Sequence, residues 1–408
     1  MDVRLTPREL SGTVFAVSSK SALHRILICA ALSKGETVIS HRGLCDDVKA
    51  TIRCIEALGR QVYIVERGSI TVAAQSGANR AHGGDLCEVA LHTTLLDCGE
   101  SATTMRLLLP VAAALKDSFS MTGQGSLLSR PIKELCGALE VGGVSFSSHN
   151  LPLTAKGRIK SGTYKIPGNV SSQYISALLQ ALPLLDGDSE LLIDGPISSA
   201  PYVDMTLDIM QKFGITVAAD AISGGQQYIS CEKIEAEGDW SNAAPWLCFD
   251  KVTVKGLSDT TRQGDVAVLR LIKELKKDGD IEIDIDETPD LLPVLAAFAA
   301  KRQGTCRFIN AARLKLKESD RIKSTADMIN AVGGMVQASG GVLTVTGAQS
   351  LAGGSINGAG DHRLVMAGAV IAAACDGPVT IVGVQAVNKS YPTFFEDYKA
   401  LGGVFDVL

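Results

Sequence analysis

One pattern recurs along this 408-residue sequence: a helical stretch runs into glycine, and a β-rich segment follows. Clear examples are "IKELCGALEVGGVSFSS", "TADMINAVGGMVQAS" and "EDYKALGGVFDVL". Glycine after a helix is typical of a left-handed C-cap, and the valine, isoleucine and phenylalanine that follow favour a strand. Six junctions share this wording, at Gly59, Gly142, Gly214, Gly279, Gly333 and Gly402. Single junctions of this kind occur in any α/β protein, but six alike predict a repeated supersecondary unit.

The repeat also predicts how the chain divides into domains. A chain of this length is expected to form two domains of about 200 residues each, which gives three units per domain. Because the last unit ends the chain, a boundary is expected after the third unit, near "CEKIEAEGDWSNAAPW". The N-terminal residues precede the first unit and are expected to pair back with the second domain. The predicted domains are therefore residues 1–18 with 237–408, and residues 19–236.

Charge and hydropathy argue against two classes of partner. The net charge is −5, with both signs spread along the chain, so no basic stripe for nucleic acid or anionic lipid is present. The start, "MDVRLTPREL", lacks an apolar signal core. The longest apolar run, about a dozen residues around "LVMAGAVIAAAC", is shorter than a bilayer span of roughly 20 residues. The sequence predicts a soluble, cytoplasmic protein, and a monomer is the expectation.

The cysteines argue against a metal or disulfide framework. Of the ten cysteines, the closest pair is Cys45 and Cys54, and no CxxC motif occurs. A zinc site built on that motif is therefore excluded. Scattered thiols are typical of buried cysteines in a reducing compartment.

Several predicted helices begin with hydroxyl groups and cations. They open "SSKSALHRIL", "ESATTMRLLL", "NVSSQYISAL", "GDHRLVMAGA" and "KESDRIKSTA". Serine and threonine are good N-caps, which explains any one of these starts. Ordinary caps favour acidic first turns, however, and here the first turns carry Lys20, Arg25, Arg106, Arg321 and Arg363. Because a helix N-terminus has unpaired amides and partial positive charge, these starts together predict a cleft for a polyanionic ligand.

Carboxylates near these cations are candidates for proton transfer. Asp290 precedes a long apolar helix in "TPDLLPVLAAFA", and Glu318 lies between Lys317 and Arg321. An aspartate before a helix is usually only a cap, and that reading stays open for Asp290. It is the default for Asp46 and Asp47 in "LCDDVKATI". His362 in "GDHR" is either a proton shuttle or a residue that orients its neighbours.

Ten ordered motifs give the sequence a family resemblance. They are "SKSALHR", "LCDDV", "GESATTMR", "SRPI", "GNVSSQ", "SSAPYVDMTLDIM", "TPDLLPVLAAFA", "KESDRI", "GDHRLVMAGA" and "NKSYPTFF". In order and spacing they resemble the EPSP synthases (3-phosphoshikimate 1-carboxyvinyltransferases) over nearly the whole chain. The resemblance implies an α+β fold of two inside-out α/β barrels (an alpha-beta prism), with six βαβαββ units, three per domain. It also implies transfer of the enolpyruvyl group of phosphoenolpyruvate to the 5-hydroxyl of shikimate 3-phosphate, without metal or organic cofactor.

The resemblance assigns roles to individual residues of this sequence. Asp290 corresponds to the base near the 5-hydroxyl, Glu318 to the acid and base at the methylene carbon, and Lys20 to a group that assists phosphate departure. The implied shikimate 3-phosphate contacts are Lys20, Ser21, Arg25, Ser171, Ser172, Gln173, Ser199, Tyr202, Asp290 and Lys317. The implied phosphoenolpyruvate contacts are Lys20, Ala102, Arg130, Gln173, Arg321, Arg363 and Lys389.

Two positions depart from the family pattern. Ala102 occupies a position beside the phosphoenolpyruvate site that is usually glycine. Its methyl group is expected to crowd a ligand longer than phosphoenolpyruvate, which predicts reduced sensitivity to the inhibitor glyphosate. Arg313 stands where many members have an asparagine near the substrate phosphate. The resemblance therefore does not assign that contact, although an arginine also suits a phosphate.

Three other classes of protein share parts of this pattern. The sister enolpyruvyl transferase that acts on UDP-N-acetylglucosamine typically has asparagine where this chain has Ser21, and its reactive-cysteine loop is not found here. A non-enzymatic phosphate-binding relative has no use for Asp290 and Glu318 beside cations. RNA terminal phosphate cyclases share related units, but the acidic net charge disfavours RNA.

Overall fold

The structure is a computed structural model that describes residues 1–65, 68–73, 94–218 and 221–408. No helix in these ranges is long and apolar enough to cross a membrane. The cysteines of this described part are free thiols, and Cys87 lies outside it.

The helices and strands alternate along the chain. The α-helices are α1 (Lys20–Leu32), α2 (Asp46–Ala57), α3 (Ala102–Leu115), α4 (Lys133–Val141), α5 (Ser172–Ala181), α6 (Pro201–Lys212), α7 (Trp240–Leu247), α8 (Val268–Leu275), α9 (Leu292–Ala299), α10 (Arg321–Asn330), α11 (His362–Ala373) and α12 (Phe394–Ala400). The strands before α7 are β1 (Asp2–Thr6), β2 (Gly12–Phe15), β3 (Thr37–Ser40), β4 (Val62–Val65), β5 (Ser69–Val72), β6 (Thr94–Asp97), β7 (Ser118–Thr122), β8 (Ser145–Phe146), β9 (Leu153–Lys156), β10 (Thr163–Pro167), β11 (Ser189–Asp194), β12 (Ala221–Ile222) and β13 (Lys233–Glu235). The later strands are β14 (Val252–Lys255), β15 (Ile281–Asp284), β16 (Thr305–Ile309), β17 (Met335–Ser339), β18 (Val342–Thr346), β19 (Gly354–Asn357), β20 (Val379–Val382) and β21 (Val404–Val407).

The helices with hydroxyl-rich starts begin where the sequence predicts, because their caps are satisfied locally. Ser19 Oγ accepts from Ala22 N before α1, and Ser101 Oγ accepts from Thr104 N before α3. Ser171 caps α5 in the same way. Each cap uses an amide that the helix itself leaves unpaired.

The sheets show the repeat directly. The order β6-β7-β9-β8 recurs as β15-β16-β18-β17, with the first two strands parallel and the rest antiparallel. In both sets the chain runs β, α, β, α, β, β. Two further four-stranded sheets each include one strand from a distant part of the chain. β13 lies parallel to β3 in the order β13-β3-β5-β4, and β1 lies between β20 and β21 in the order β19-β20-β1-β21.

Local differences interrupt the repeat. The strand after Gly279 is β15, and it belongs to the next sheet, β15-β16-β18-β17, and not to the sheet of the fourth unit. The fourth unit's sheet is therefore the pair β14-β2. The left-handed residue after α4 is Gly143, at φ 96°, and not Gly142, at φ −74°. Backbone hydrogen bonding therefore decided details that similar wording did not reveal.

Two hydrophobic clusters fill the interior. The first contains buried residues from Ala22 to Ala236, and the second contains Val3 to Val17 together with Trp240 to Leu401. The chain passes between them where Ser18 and Gly238 form an antiparallel bridge. A Cβ atom added to Gly238 would lie 2.3 Å from the Gly256 carbonyl oxygen, so only glycine allows this approach.

Candidate active site

A cleft opens between the two hydrophobic clusters, and most of the predicted site residues line it. Those from the first cluster's side are Lys20, Ser21, Arg25, Ala102, Arg130, Ser171, Ser172, Gln173, Ser199 and Tyr202. Those from the opposite side are Asp290, Lys317 and Glu318. The first residues of α1, α3 and α5, which are Lys20, Ala102 and Ser172, line this cleft. Residues far apart in the sequence thus converge on one polar cavity.

Three predicted residues are not in the cleft wall itself. Arg321 is fully buried behind the wall and donates to Asp361 Oδ2 at 2.8 Å. Arg363 is also buried, and its Nη1 donates to Asn242 Oδ1 at 3.0 Å. Lys389 Nζ donates to the Gly360 carbonyl oxygen at 2.8 Å and forms an ion pair with Glu100. All three cations are therefore engaged by protein oxygens.

Asp290 is surrounded by cations. Its carboxylate accepts hydrogen bonds from Arg321 Nη1 at 2.6 Å and Lys317 Nζ at 3.2 Å, and from Arg363 Nη2 at 3.3 Å. Burial alone raises the pKa of Asp290, but Lys317, Arg321 and Arg363 outweigh that effect and hold its pKa well below the usual range. The carboxylate is consequently ionised at neutral pH.

Glu318 shares one of these cations. Arg321 Nη2 donates to Glu318 Oε2 at 2.8 Å, and Arg130 Nη1 lies 3.5 Å from Oε1 across the cleft. Burial again raises the pKa, but the two guanidinium groups outweigh that effect, so the pKa of Glu318 is well below its usual range. Glu318 therefore also carries a negative charge.

Lys20 stands on the opposite side at the start of α1. Its Nζ donates to Asp47 Oδ2 at 2.8 Å. Burial lowers the pKa of Lys20, but attraction to Asp47 and Glu318 more than compensates and raises it above the ordinary value. Lys20 is thus a permanent cation, and Asp47, for which the sequence suggested only a capping role, is its partner.

Two arginines on the first cluster's side, Arg25 and Arg106, line the cleft. Arg25 is held by hydroxyls and a carbonyl: Nε donates to Thr206 Oγ1 at 2.7 Å, Nη1 to the Ser21 carbonyl at 2.9 Å. Arg106 Nη1 donates to Gln173 Oε1 at 3.0 Å. Burial lowers the pKa of Arg25 and of Arg106 to about 10, so both stay charged. Their charge is available to an anionic ligand because these partners are neutral.

The sequence reasoning missed Asp265. Tyr202 Oη donates to its Oδ2 at 2.5 Å, and Ser241 Oγ donates to the same oxygen. Burial, followed by repulsion from Asp290, raises the pKa of Asp265 to about 6. The stretch "TRQGDVAVL" contains no signal stronger than a glycine before an acid.

Arg313, one of the two departures from the family pattern, bridges the cleft. Its Nη2 donates to Ser199 Oγ at 2.7 Å, and its Nε lies 2.9 Å from Asp286 Oδ1. Ser199 has φ 57°, a left-handed conformation that serine rarely adopts. Arg313 therefore lines the cleft beside a predicted phosphate contact, with its charge held by Asp286.

A family model described as EPSP synthase (3-phosphoshikimate 1-carboxyvinyltransferase) matches residues 5–398 of this chain. The chain belongs to the EPSP synthase family. The 3-phosphoshikimate 1-carboxyvinyltransferase of Clostridium kluyveri is 36% identical over 99% of this chain and 98% of that protein. The protein of the same name from Methanocorpusculum labreanum is 34% identical over 98% of this chain and 99% of its own.

Solved structures share the fold. An EPSP synthase structure from Acinetobacter baumannii superposes with a TM-score of 0.79, covers 99% of each chain and is 22% identical in sequence. A second structure of that organism's enzyme gives the same TM-score over 100% of both chains. The predicted family, enzyme class and two-domain α/β fold are confirmed. The α+β prism of repeated units is the fold of an EPSP synthase.

Proposed function

We propose that this enzyme transfers the enolpyruvyl group of phosphoenolpyruvate to the 5-hydroxyl of shikimate 3-phosphate and releases phosphate, without a metal or organic cofactor. The observation that carries the proposal is the pair of ionised carboxylates, Asp290 and Glu318, joined by Arg321 in a cleft rich in cations. Both substrates are polyanions that carry phosphate and carboxylate groups. Guanidinium and ammonium groups bind such anions, while two carboxylates serve two proton transfers.

The addition step uses both carboxylates. Asp290 accepts the proton of the 5-hydroxyl while that oxygen bonds to C2 of phosphoenolpyruvate. Glu318 delivers a proton to the methylene carbon, which becomes a methyl group in a tetrahedral intermediate. In the elimination step Glu318 removes a methyl proton, the carbon–carbon double bond reforms, and the bond from C2 to the phosphate oxygen breaks. The proton held by Asp290 passes to the departing phosphate or to solvent, and Lys20 stabilises that phosphate as a buried cation.

Ligand charge is what prepares Glu318 to act as an acid. Burial raises the pKa of Glu318, but Arg321 and Arg130 favour its ionised form and hold the pKa well below the usual range. When phosphoenolpyruvate anions engage Arg130, which lines the cleft, the carboxylate loses part of this stabilisation and its pKa rises. The substrate therefore supplies the condition under which Glu318 can hold a proton.

We also propose a domain division, a location, an oligomeric state and a reduced affinity for glyphosate. The domains are residues 1–18 with 237–408 and residues 19–236, which the two hydrophobic clusters support. The protein acts as a cytoplasmic monomer on these two small molecules. Ala102 is 7% exposed and lines the cleft, which supports the reduced binding of glyphosate.

The test is phosphate release from phosphoenolpyruvate, with shikimate 3-phosphate or UDP-N-acetylglucosamine as acceptor, in the parent and in Glu318→Gln. Glu282→Gln is the matched control, since Glu282 pairs with Arg307 at 2.8 Å on an exposed sheet surface. Release is expected with shikimate 3-phosphate alone, lost by a factor on the order of 10²–10⁴ in Glu318→Gln and retained in Glu282→Gln. Release with neither acceptor would contradict the proposal, and release with the UDP sugar would assign the acceptor specificity of the sister enzyme.

A further inference from the structure

One carboxylate joins the first turns of two helices that belong to different hydrophobic clusters. Asp239 Oδ2 accepts from the backbone N of Lys20, the first residue of α1, at 3.0 Å. Its Oδ1 accepts from the backbone N of Asn242, in the first turn of α7, at 2.8 Å. An N-cap side chain ordinarily serves only the helix that it begins. Asp239 therefore does more than start α7.

The contacts of Asp239 lead to both sides of the proton-transfer machinery. On one side lies Lys20, whose ammonium group faces the cleft. On the other, Asn242 Oδ1 accepts from Arg363 Nη1 at 3.0 Å, and Arg363 Nη2 lies 3.3 Å from Asp290 Oδ2. A continuous set of hydrogen bonds thus runs from Lys20 through Asp239, Asn242 and Arg363 to Asp290.

The backbone around Asp239 is fixed as well. Asp239 N donates to the Val17 carbonyl at 2.8 Å, and Ser19 N donates to the Glu237 carbonyl at 2.7 Å. These bonds join the two segments where the chain passes between the clusters. The carboxylate is 4% exposed, so water competes little for its oxygens. A shift of this side chain would therefore move α1 relative to α7.

We propose that Asp239 is a positioning residue that sets the placement of Lys20 relative to Asp290. Lys20 and Asp290 lie beside different hydrophobic clusters. Asp239 hydrogen-bonds directly to the helix that carries Lys20, and it is connected to Asp290 through Asn242 and Arg363. The inference rests on the proposed function, in which both groups must reach the same pair of substrates. Misplacement of reacting groups by about 1 Å costs on the order of 10²-fold in rate.

The test compares Asp239→Ser with the parent. Serine is a good N-cap, and its hydroxyl oxygen can still accept a hydrogen bond from Asn242 N. A single hydroxyl cannot also reach Lys20 N. Asp239→Asn is the second variant, because its amide offers one acceptor oxygen and turns a donor towards the other backbone N–H. Asp188→Ser is the matched control: Asp188 Oδ1 accepts from Gly224 N at 3.0 Å at the surface of one cluster.

The expected result is a fall in kcat of about 10–100-fold in both Asp239 variants, with KM for each substrate within about threefold of the parent. Asp239→Ser should keep a thermal midpoint close to the parent, and Asp188→Ser should keep parental kcat. A parental kcat in folded Asp239→Ser overturns the proposal. A loss of activity that follows only the loss of folded protein also overturns it, since that is the effect of a simple cap.

Backbone amide exchange, followed by NMR, separates this inference from the proposed function. Asp239→Ser is expected to accelerate exchange at Lys20 by at least about tenfold and to leave Asn242 protected. Unchanged exchange at Lys20 overturns the positioning role whatever the activity. If the parent releases no phosphate but Lys20 still loses protection, the proposed reaction fails while the placement of Lys20 by Asp239 stands.

Discussion

Arg321 Nη1 lies 2.6 Å from Asp290 Oδ1, and the same guanidinium group holds Glu318 Oε2 at 2.8 Å through Nη2. The two carboxylates proposed for proton transfer therefore share one buried counter-ion. Any displacement of Arg321 changes the ionisation of both at once. In the proposed reaction, this shared cation couples the two proton transfers.

Binding of phosphoenolpyruvate together with shikimate 3-phosphate is expected to take up protons from solution. Burial raises the pKa of Glu318, but Arg321 and Arg130 hold it well below its usual range, so ligand anions that engage Arg130 in the cleft raise it. Calorimetric titration at pH 7 in two buffers of different ionisation enthalpy measures the uptake. Glu318→Gln should reduce it, while Glu282→Gln should not. Proton release on binding would contradict the model.

The affinity for shikimate 3-phosphate is expected to fall above pH 8. Burial lowers the pKa of Lys317 to about 8, with Arg321 adding to the effect and Asp290 opposing it. As pH rises through that value Lys317 loses its charge, so KM for the phosphorylated substrate should climb towards about tenfold per pH unit. Lys317→Arg should move this limb to higher pH because guanidinium stays charged. Lys315→Arg, in the same turn but exposed, should leave it in place.

Asp265→Asn is expected to stabilise the fold at pH 8. Burial raises the folded-state pKa of Asp265 to about 6, above that of the unfolded chain, so the native state binds the extra proton. Protonation therefore favours folding most at low pH, and that contribution is lost as pH rises through 6. The neutral amide should gain on the order of 1–3 kcal/mol at pH 8 and little below pH 4. Urea unfolding at both pH values tests this, and equal differences at the two would contradict it.

Gly238→Ala is expected to destabilise the crossing between the two clusters by about 1–3 kcal/mol, because the added methyl group overpacks the site. The new Cβ would lie 2.3 Å from the Gly256 carbonyl oxygen and 3.1 Å from Ala16 Cβ. Gly137→Ala is the matched control: it lies in α4, and a Cβ there meets nothing within 4 Å. The change in thermal unfolding midpoint relative to the parent should differ in sign or size between the two variants. Equal changes would refute the steric account.

Ala102→Gly is expected to increase inhibition by glyphosate while leaving the reaction with phosphoenolpyruvate within a few-fold of the parent. Ala102 is the first residue of α3, directly after the cap Ser101, and its methyl group lines the cleft. Removing that methyl group enlarges the subsite for the longer inhibitor. Inhibition constants measured against phosphoenolpyruvate test this. A glycine variant no more sensitive than the parent refutes the idea.

The sequence by itself determined the local features of this protein. Ser19, Ser101 and Ser171 begin their helices because a hydroxyl oxygen can satisfy an amide two or three residues ahead, which depends on neighbours in the chain only. The sequence also contained the residue types needed for a polyanion cleft and the repeated helix–glycine–strand pattern. Family motifs extended that reading to the roles proposed for Lys20, Asp290 and Glu318.

The tertiary structure alone decided which groups meet. Tyr202 and Asp265 are 63 positions apart, and Lys20 N and Asp239 are 219 apart, yet each pair is hydrogen-bonded. The sequence led us to expect that the N-terminal residues pair with the later part of the chain, but only the structure places β1 between β20 and β21. The ionisation of Asp290 depends on three cations brought to it by folding. Because electrostatic energies depend on distance and burial in space, residue types and spacing could not supply them.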